Sequence, residues 1–532
     1  MDAPSVELLA LLNLKPQIDT DNMDTLRRLI GAPPARSAPA RVETDEIYPL
    51  HMLDDTKTLR GIVVTWTLRF NDVLDANKLH TSLSDLLEIG DWRKLGGRLR
   101  LRENGELEIH VPQPFTKKRP AVSFSHHTHT VNIEDHPLAS TLPKATNGPS
   151  IQAGPPGFRY FAAREGAPET LDDYLYQDIP QLSLHITSFN NATLVALSWL
   201  HTLMDVMGQQ ALLRGWSLML AGKEGEVLPV LGAREDAIFA AMDASEKEAK
   251  EEFMLGQKRL EGWALAKFGA NFAWSMLWNQ VVETRTIFLP RKAVNDLIRE
   301  AQEDLKAEAG SEWKPFVSEG DVITAWAARA VAFSQPQPRP VTVLHALNAR
   351  FRLPSIQSRE TTGVFVQNMA VAACAFLPHE IATGPLGPIA LENRRHLVEQ
   401  STEGQVLACL RELRAQPKKD SDPSMVCGDS NAVLVPFTNW TRADVFKTAD
   451  FSPAVVRPGD ASKGRTNPPG TIVFHHAQSM RQGPEVRNVF VVLGKDHQDN
   501  VWMTGILLPG TWAKIEEELQ RLGGLVEDEA SK

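Results

Sequence analysis

The chain has 532 residues, too many for one hydrophobic core, so we expect two large domains. Charged residues make up 23% and hydrophobic residues 42%, which is ordinary for a globular protein. The 56 Lys and Arg residues against 66 Asp and Glu residues give a formal net charge of −10. This charge argues against general nucleic-acid binding, which needs a basic surface.

The three cysteines, Cys374, Cys409 and Cys427, have neither CxxC nor metal-ligand spacing. An odd number of cysteines predicts a reducing compartment, and the N-terminus lacks the basic and long apolar regions of a signal peptide. We therefore expect a cytoplasmic protein without a resident metal. No stretch is apolar for long enough to span a bilayer.

The N-terminal part of the chain gives few strong signals before residue 60. Residues 31–40 (GAPPARSAPA) predict a loop or linker. An HxxxD pattern, His51 to Asp55, follows without a buried strand in front of it. The next predicted elements are a strand at 62–70, a helix at 76–88, a hairpin at 99–111 that turns at 103–105, and a long surface excursion at 112–157.

Three histidines, His126, His127 and His129, lie close together in this excursion. They have the right side chains for a metal site, but no carboxylate or cysteine is spaced to complete one. We favour a surface loop without a metal.

The strongest local pattern runs from Thr193 to Trp216. Residues 183–189 and 193–200 predict a hairpin, whose second strand is apolar enough to be buried. That strand ends at His201, Asp205 follows four residues later, and Gly208 favours a tight turn before a helix. A histidine held rigidly at the end of a buried strand is well placed to act as a general base. The alternative is a structural core histidine that is hydrogen-bonded to a carbonyl.

Residues 222–285 are interpreted as a crossover between two lobes. Residues 233–260 predict a charged, mostly solvated helix, and the segment after it is crowded with Trp and Phe. A helix on a membrane surface is one interpretation of this aromatic segment. Because Lys267 is its only cation, we favour packing or the lining of a substrate tunnel.

The remaining chain alternates predicted strands and helices. Ser318 is predicted to cap a helix at 322–333. The other predicted helices are 291–307, 389–414 and 512–522, and the strands are 341–347, 364–377, 432–440, 471–476, 486–494 and 501–508. This pattern predicts an α/β (α+β) protein with two similar lobes, an N-terminal lobe at 1–221 and a C-terminal lobe at 286–532.

Several motifs together resemble the BAHD acyltransferases, in particular their fungal branch. HTLMD at 201–205 resembles the family's HxxxD, and VSEGDV at 317–322 resembles the helix start that opens its second lobe. Asn348-Ala349-Arg350 resembles its Asn/Asp-x-Arg segment. Residues 438–442 (TNWTR), followed by Asp450 and Phe451, resemble the region that ends in DFGWG. Each motif is weak alone, but four in the family's order are much more specific.

The resemblance implies two chloramphenicol-acetyltransferase-like lobes, each a mixed β-sheet with helices, around an active-site tunnel. A CoA thioester would enter from one face and the acceptor from the other. His201 would be the general base, and Asp205 would point away from the substrates to pair with Arg350. Trp440 and Thr438 would lie near the tetrahedral oxyanion.

The chain departs from the family pattern at two places. Val206 stands where the family usually has Gly after the HxxxD aspartate. The DFGWG segment is replaced by DFSPA at 450–454, in which Asp450 remains as a structural residue. This segment predicts a turn near the CoA channel.

The leading interpretation is a CoA-dependent O- or N-acyltransferase of secondary metabolism. It would move an acyl group, acetyl for preference, directly from CoA to a small-molecule hydroxyl or amine, as a monomer and without a permanently bound cofactor. One alternative uses the same lobes and base for condensation or rearrangement; Leu200, where condensation domains usually have a second His, argues against condensation. Another alternative is a non-catalytic binding protein.

Overall fold

The computed structural model describes residues 36–245, 251–309, 315–359, 362–415, 426–459 and 465–530. Its strands are β1 Glu46–Pro49, β2 Val63–Phe70, β3 Val73–Leu74, β4 Arg98–Leu101, β5 Leu107–Val111, β6 Ser123–Thr128, β7 Ser150–Ala153, β8 Ser183–Ser188, β9 Thr193–Leu200, β10 Glu283–Leu289, β11 Val341–Asn348, β12 Ala370–Leu377, β13 Val433–Asn439, β14 Val455–Arg457, β15 Ile472–Ser479, β16 Val489–Lys495 and β17 Val501–Leu507. Of the predicted linker at 31–40, residues 31–35 lie outside these ranges, and residues 36–40 have no regular structure.

The helices are spread over both halves of the chain. They are α1 Lys57–Arg60, α2 Ala76–Leu86, α3 Arg159–Ala162, α4 Leu171–Leu175, α5 Val206–Leu220, α6 Ala237–Ala244, α7 Gly262–Trp278, α8 Arg291–Ala309, α9 Glu319–Phe333, α10 Pro354–Gln357, α11 His379–Ala382, α12 Leu386–Gln400, α13 Glu403–Ala415, α14 Val445–Thr448 and α15 Pro509–Ala530. Ser318 caps α9 in a capping box with Asp321, as predicted.

The first large sheet has the strand order β15-β2-β9-β8-β6. All eight residues of β9 are buried, because the strand lies in the middle of the sheet with both faces covered. Helices α2 and α5 cover one face, where Trp216 Nε1 donates to Ser82 Oγ over 2.9 Å. The predicted hairpin of β8 and β9 is confirmed.

The second large sheet has the order β12-β11-β13-β16-β17-β10-β7 and a core of its own. Helix α9 is nearly all buried against it, because ten of its 15 residues are Val, Ile, Ala, Trp or Phe and lie on every side of the helix. Two sheets with separate cores give the two-lobed mixed α/β fold that the sequence predicts.

The two sheets exchange strands. Strand β15, late in the chain, pairs antiparallel with β2 in the first sheet. Strand β7, early in the chain, pairs antiparallel with β10 in the second sheet. The lobes are therefore tied together by backbone hydrogen bonds. The boundaries at residues 221 and 285 stay a prediction.

The excursion predicted at 112–157 is more structured than expected. It contains β6, which pairs parallel with β8, and β7. Ile133, Ala139 and Leu142 from this segment are buried in a small core with Phe158 and Phe161. The Pro, Ser and Thr content suggested a surface loop, but the strands that pair with β6 and β7 lie 60 or more residues away in sequence.

Two predicted elements differ most in their bounds. Of the helix expected at 233–260, the described residues form only α6, because residues 251–260 contain no α-helix and residues 246–250 lie outside the described ranges. The strand expected at 364–377 begins at Ala370, and residues 365–369 are irregular. The backbone of these residues forms hydrogen bonds with the charged side chains of Asp54, Asp205 and Arg350, which belong to the site described below.

The packing expected for the aromatic segment is wrong for its three tryptophans. Residues 262–278 do form a helix, α7, but its Trp263, Trp274 and Trp278 side chains are 83%, 61% and 75% exposed. Phe268 and Phe272 on the other face are partly buried, and the lining of a tunnel stays a prediction. Within the described ranges, no helix is both long and apolar enough to cross a bilayer.

Candidate active site

His201 lies directly after the last residue of β9. Leu200 is fully buried, whereas the His201 side chain is half-buried. The His201 backbone N–H donates to Ile62 O over 2.8 Å, so the strand ladder continues through the histidine. The central strand β9 therefore fixes the position of the His201 backbone, from which the imidazole extends.

Asp205 ends the turn and begins the helix. Its side chain caps α5 by accepting from the backbone N–H groups of Met207 and Gly208, both over 3.1 Å. An aspartate in this position satisfies N–H groups that have no partner within the helix. The four-residue spacing of HxxxD thus spans the connection from the end of β9 to the N-cap of α5.

Arg350 of the second lobe forms a bidentate ion pair with Asp205. Arg350 Nη1 lies 2.6 Å from Asp205 Oδ2, and Nη2 lies 3.0 Å from Oδ1. The two side chains are only 5% and 11% exposed. This contact is the one that the sequence predicts between the HxxxD turn and the Asn-x-Arg segment.

The irregular residues before β12 complete this contact. The Met369 N–H donates to Asp205 Oδ2 over 3.0 Å, and Arg350 Nη2 donates to the carbonyls of Phe365 and Gln367. One carboxylate and one guanidinium therefore join β9, β11 and the segment before β12. Charge-assisted bidentate hydrogen bonds of this kind fix the relative orientation of the two side chains as well as stabilising the contact.

Gly208 has a different role from the predicted tight turn. It lies inside α5, and a Cβ at this position would come within 2.4 Å of Val366 O. The glycine permits close approach of the second lobe's backbone to the helix. The absence of a side chain at position 208 thus contributes to the same junction as the Asp205–Arg350 pair.

Burial lowers the pKa of His201, and the Asp205 charge and the Asn368 hydrogen bond oppose this only in part. The imidazole is therefore neutral near pH 7, as a general base must be. Nδ1 is buried and has no partner outside the histidine, while the backbone carbonyl of His201 also raises the pKa. We assign the proton to Nδ1, facing that carbonyl, which leaves the Nε2 lone pair free to accept.

Asn368 and Asp54 also belong to this site, and the sequence analysis missed both. Asn368 Nδ2 donates to His201 O over 3.0 Å and to Asp54 Oδ1 over 2.8 Å. Asp54 Oδ1 also accepts from the Asn368 backbone N–H over 2.7 Å. Asp54 is buried, and it stands in the HMLDD segment that repeats the HxxxD pattern. The repeated pattern could have drawn attention to this segment. It would have selected Asp55, however, which pairs with Arg60, whereas Asp54 makes the contact with Asn368.

Thr438 and Trp440 lie at the end of β13 in the second lobe. Thr438 is the second-last residue of the strand, and the Trp440 backbone N–H donates to Val492 O over 2.9 Å. The partly buried Trp440 packs against the core of the first lobe. Trp440 is therefore at the junction of the lobes, and the contact of either side chain with the oxyanion stays a prediction.

The DFSPA segment is a turn over the core of the first lobe. Asp450 is exposed, and its Oδ1 accepts from the Ser452 N–H over 3.0 Å. Phe451 is fully buried and stacks on Phe70 with ring centroids 5.2 Å apart. The buried anchor of this segment is the phenylalanine, whereas Asp450 stabilises the turn locally. Its nearness to a CoA channel stays a prediction.

The three histidines of the predicted excursion are used for packing and hydrogen bonding. His126 bonds to Ser188 Oγ over 2.9 Å, and His129 stacks on Phe189 with centroids 5.3 Å apart. Among the described residues, no group of three or more His, Cys, Asp or Glu side chains is arranged to hold a metal ion.

The chain is similar over most of its length to curated fungal acetyltransferases. O-acetyltransferase PaAT-2 of Phomopsis amygdali is 37% identical over 494 residues, covering 90% of this chain and 99% of the relative. Acetyltransferase pyiB of Pyricularia grisea is 36% identical over 492 residues, covering 92% and 96%. The chain belongs to the fungal BAHD acyltransferases. This membership confirms the resemblance seen in its motifs, and the protein is a CoA-dependent acyltransferase.

A solved structure of the same fold supports the two-lobed architecture. Fusarium graminearum TRI101, in complex with coenzyme A and T-2 mycotoxin, superposes with a TM-score of 0.61 at 15% identity and covers 89% of this chain and 97% of TRI101. At this identity the likeness establishes the fold of our acyltransferase. No family model matches the chain.

Proposed function

We propose that this acyltransferase moves an acetyl group from acetyl-CoA to a hydroxyl of a small secondary metabolite, with His201 as the general base. The observation that carries the proposal is the neutral, half-buried imidazole at the lobe junction, held by a strand on one side and by the Asp205–Arg350 pair on the other. The names of the two curated relatives favour acetyl as the group transferred, and that of PaAT-2 favours a hydroxyl acceptor.

His201 Nε2 removes the acceptor's hydroxyl proton as the oxygen attacks the thioester carbonyl. The carbonyl oxygen becomes an oxyanion, which the Trp440 indole N–H or the Thr438 hydroxyl stabilises by donating a hydrogen bond. The oxyanion then collapses and expels the CoA thiolate, which takes the proton from His201. The products are an ester and free CoA, and no covalent enzyme intermediate forms.

Asp205 is a positioning residue in this proposal, because both of its oxygens are engaged by Arg350 and backbone N–H groups. Asn368 has a similar role, since it links the carbonyl of His201 to buried Asp54. Both act on the imidazole through the backbone of the turn. We further propose that the enzyme is a cytoplasmic monomer.

The test measures CoA release and product mass with acetyl-CoA and a panel of hydroxylated fungal metabolites. His201→Ala is expected to lower turnover by about 10²- to 10⁴-fold, the usual contribution of a general base. His127→Ala, which removes an exposed histidine from β6, is the matched control and should retain activity. Near-normal turnover by a folded His201→Ala enzyme would contradict the assignment.

A further inference from the structure

Helix α7, Gly262–Trp278, carries apolar side chains on both of its faces, and its outward face is apolar apart from Lys267. Its outward residues recur every three or four positions and form one face of the helix, here named the exposed stripe. The exposed stripe consists of Trp263, Ala266, Lys267, Ala270, Trp274, Leu277 and Trp278. A surface helix of a globular protein normally has polar residues on its outward face.

The inner face of α7 is partly buried and makes hydrogen bonds beside its apolar contacts. Asn271 Nδ2 donates to Ser430 O over 3.2 Å. Arg487 Nη1 donates to Ser275 O over 3.1 Å, and its guanidinium lies 5.9 Å from the centre of the Phe272 ring. The orientation of the helix is therefore fixed by these contacts, and the exposed stripe is held outward.

The side chains of the stripe are a chemical match for the polar–apolar boundary of a bilayer. Three of them are tryptophans, whose rings are apolar and whose N–H group needs a polar partner. Lys267 is the only ionisable residue between Gly262 and Trp278, and its long side chain can keep the ammonium in the headgroup layer. Residues 262–278 contain no Asp or Glu, so no carboxylate would have to lose its hydration when α7 enters the headgroup layer.

The shape of the stripe fits a helix that lies flat on a surface. Trp263 and Trp278 are 15 residues apart, so the stripe is about 23 Å long at about 1.5 Å per residue, and it is about 10 Å wide. A helix that lies in the plane of a bilayer places an apolar face of this form at the boundary between headgroups and acyl chains.

We propose that the exposed stripe of α7 docks the enzyme on a lipid bilayer, with the helix lying in the interface and the two lobes in water. The helix does not span the membrane, because its inner face is bonded to the protein. The net charge of −10 gives no general attraction to anionic lipids, so binding depends on the tryptophans and not on the field of the protein. This surface is separate from the reaction proposed above.

The test is flotation of the full-length protein with phosphatidylcholine vesicles in a density gradient, at low and high salt. Wild-type protein is expected to float with the vesicles at both salt concentrations. The double variant Trp274→Ser/Trp278→Ser is expected to float at least tenfold less. Phe333→Ser, which removes an exposed aromatic residue from the end of α9, is the matched control and should float like wild type. Equal CoA release by all three proteins without vesicles shows that the variants are folded.

Several outcomes would overturn the proposal. Wild-type protein that stays at the bottom of the gradient would do so, as would a double variant that floats equally well. If the wild type is a dimer by light scattering and the double variant is a monomer, the stripe is a contact between copies. If the double variant melts at a lower temperature than wild type, the stripe is covered by the chain itself.

Discussion

At the scale of single residues, a small number of contacts determines the position of the His201 imidazole. His201 itself has a buried, unpartnered Nδ1, while the surrounding bonds are made by the backbone of its turn and by Asp205. The side chains that hold the turn come from distant parts of the chain, Asp54, Arg350 and Asn368. A change at these positions should therefore affect both folding and the alignment of the base.

Asp205→Ala is expected to destabilise the protein by about 3–5 kcal/mol, because it leaves the Arg350 guanidinium buried without its anion. It also removes the cap of α5. Urea unfolding measures the free energy, and CoA release should fall as well. Asp243→Ala, which breaks an exposed pair with Arg414, is the control and should cost no more than about 1 kcal/mol. Equal stability of the two variants would argue against a buried role for Asp205.

Trp440→Phe keeps an aromatic ring against the first lobe's core and removes the indole N–H. If this group binds the oxyanion, kcat is expected to fall about 10²- to 10³-fold with little change in KM or melting temperature. Trp263→Phe on the exposed stripe is the control and should leave kcat unchanged in steady-state kinetics. If Trp440→Phe and Thr438→Val both retain full kcat, the oxyanion is stabilised by other donors.

At the scale of elements, the DFSPA segment shows how a motif retains one function after its glycines are lost. Residues 452–454 form a single 3-10 turn, and the restricted φ of Pro453 is compatible with it, so the turn is stiff without glycine. Phe451 N–H donates to Gly470 O over 2.8 Å, and the ring fills the space between Phe70 and Trp216. The segment is a structural turn whose energy comes mainly from the buried ring.

Phe451→Ala is therefore expected to cost about 3–5 kcal/mol, the range for truncating a buried phenylalanine. Asp450→Ala should cost only about 1 kcal/mol, since its exposed carboxylate caps a single local turn. Ser452→Ala should leave turnover intact. Thermal unfolding ranks the three variants, and mass spectrometry of a trapped reaction checks for a covalent acyl group on Ser452, which would contradict direct transfer.

At the scale of the whole molecule, burial of histidines makes stability depend on pH. Burial lowers the pKa of His475 and of His476 to about 3, and the pKa of His185 and of His345 to about 4. In the unfolded chain the pKa of a histidine is near its ordinary value of 6.5. Below that pH the unfolded state binds more protons than the folded state, so stability is present above pH 6.5 and is lost as the pH falls towards the folded values.

Each of these histidines should reduce the free energy of unfolding by up to about 1.4 kcal/mol per pH unit below 6.5. We expect a loss of about 3–5 kcal/mol between pH 7.5 and 5.5, measured by urea unfolding at each pH. His476→Gln should make this dependence shallower, whereas His127→Gln should leave it unchanged. A free energy of unfolding that is flat over this range would contradict the burial of neutral histidines.

The sequence by itself determined the local elements and the residue types of the site. The apolar run of β9, the capping box at Ser318 and the HxxxD turn depend on neighbours within a few residues, and such signals are legible in a chain. The Asp205–Arg350 pair was also predicted, but through the resemblance to a family and not from spacing alone.

Only the tertiary structure decided which distant segments meet. The exchange of β7 and β15 between the sheets, and the link from Asp54 through Asn368 to His201, depend on pairings across tens to hundreds of residues that have no local signature. The exposure of the tryptophans of α7 was not the favoured prediction, for a related reason. The helix has apolar side chains on both faces, so the sequence pattern does not show which face packs against the protein; contacts with distant segments decide this.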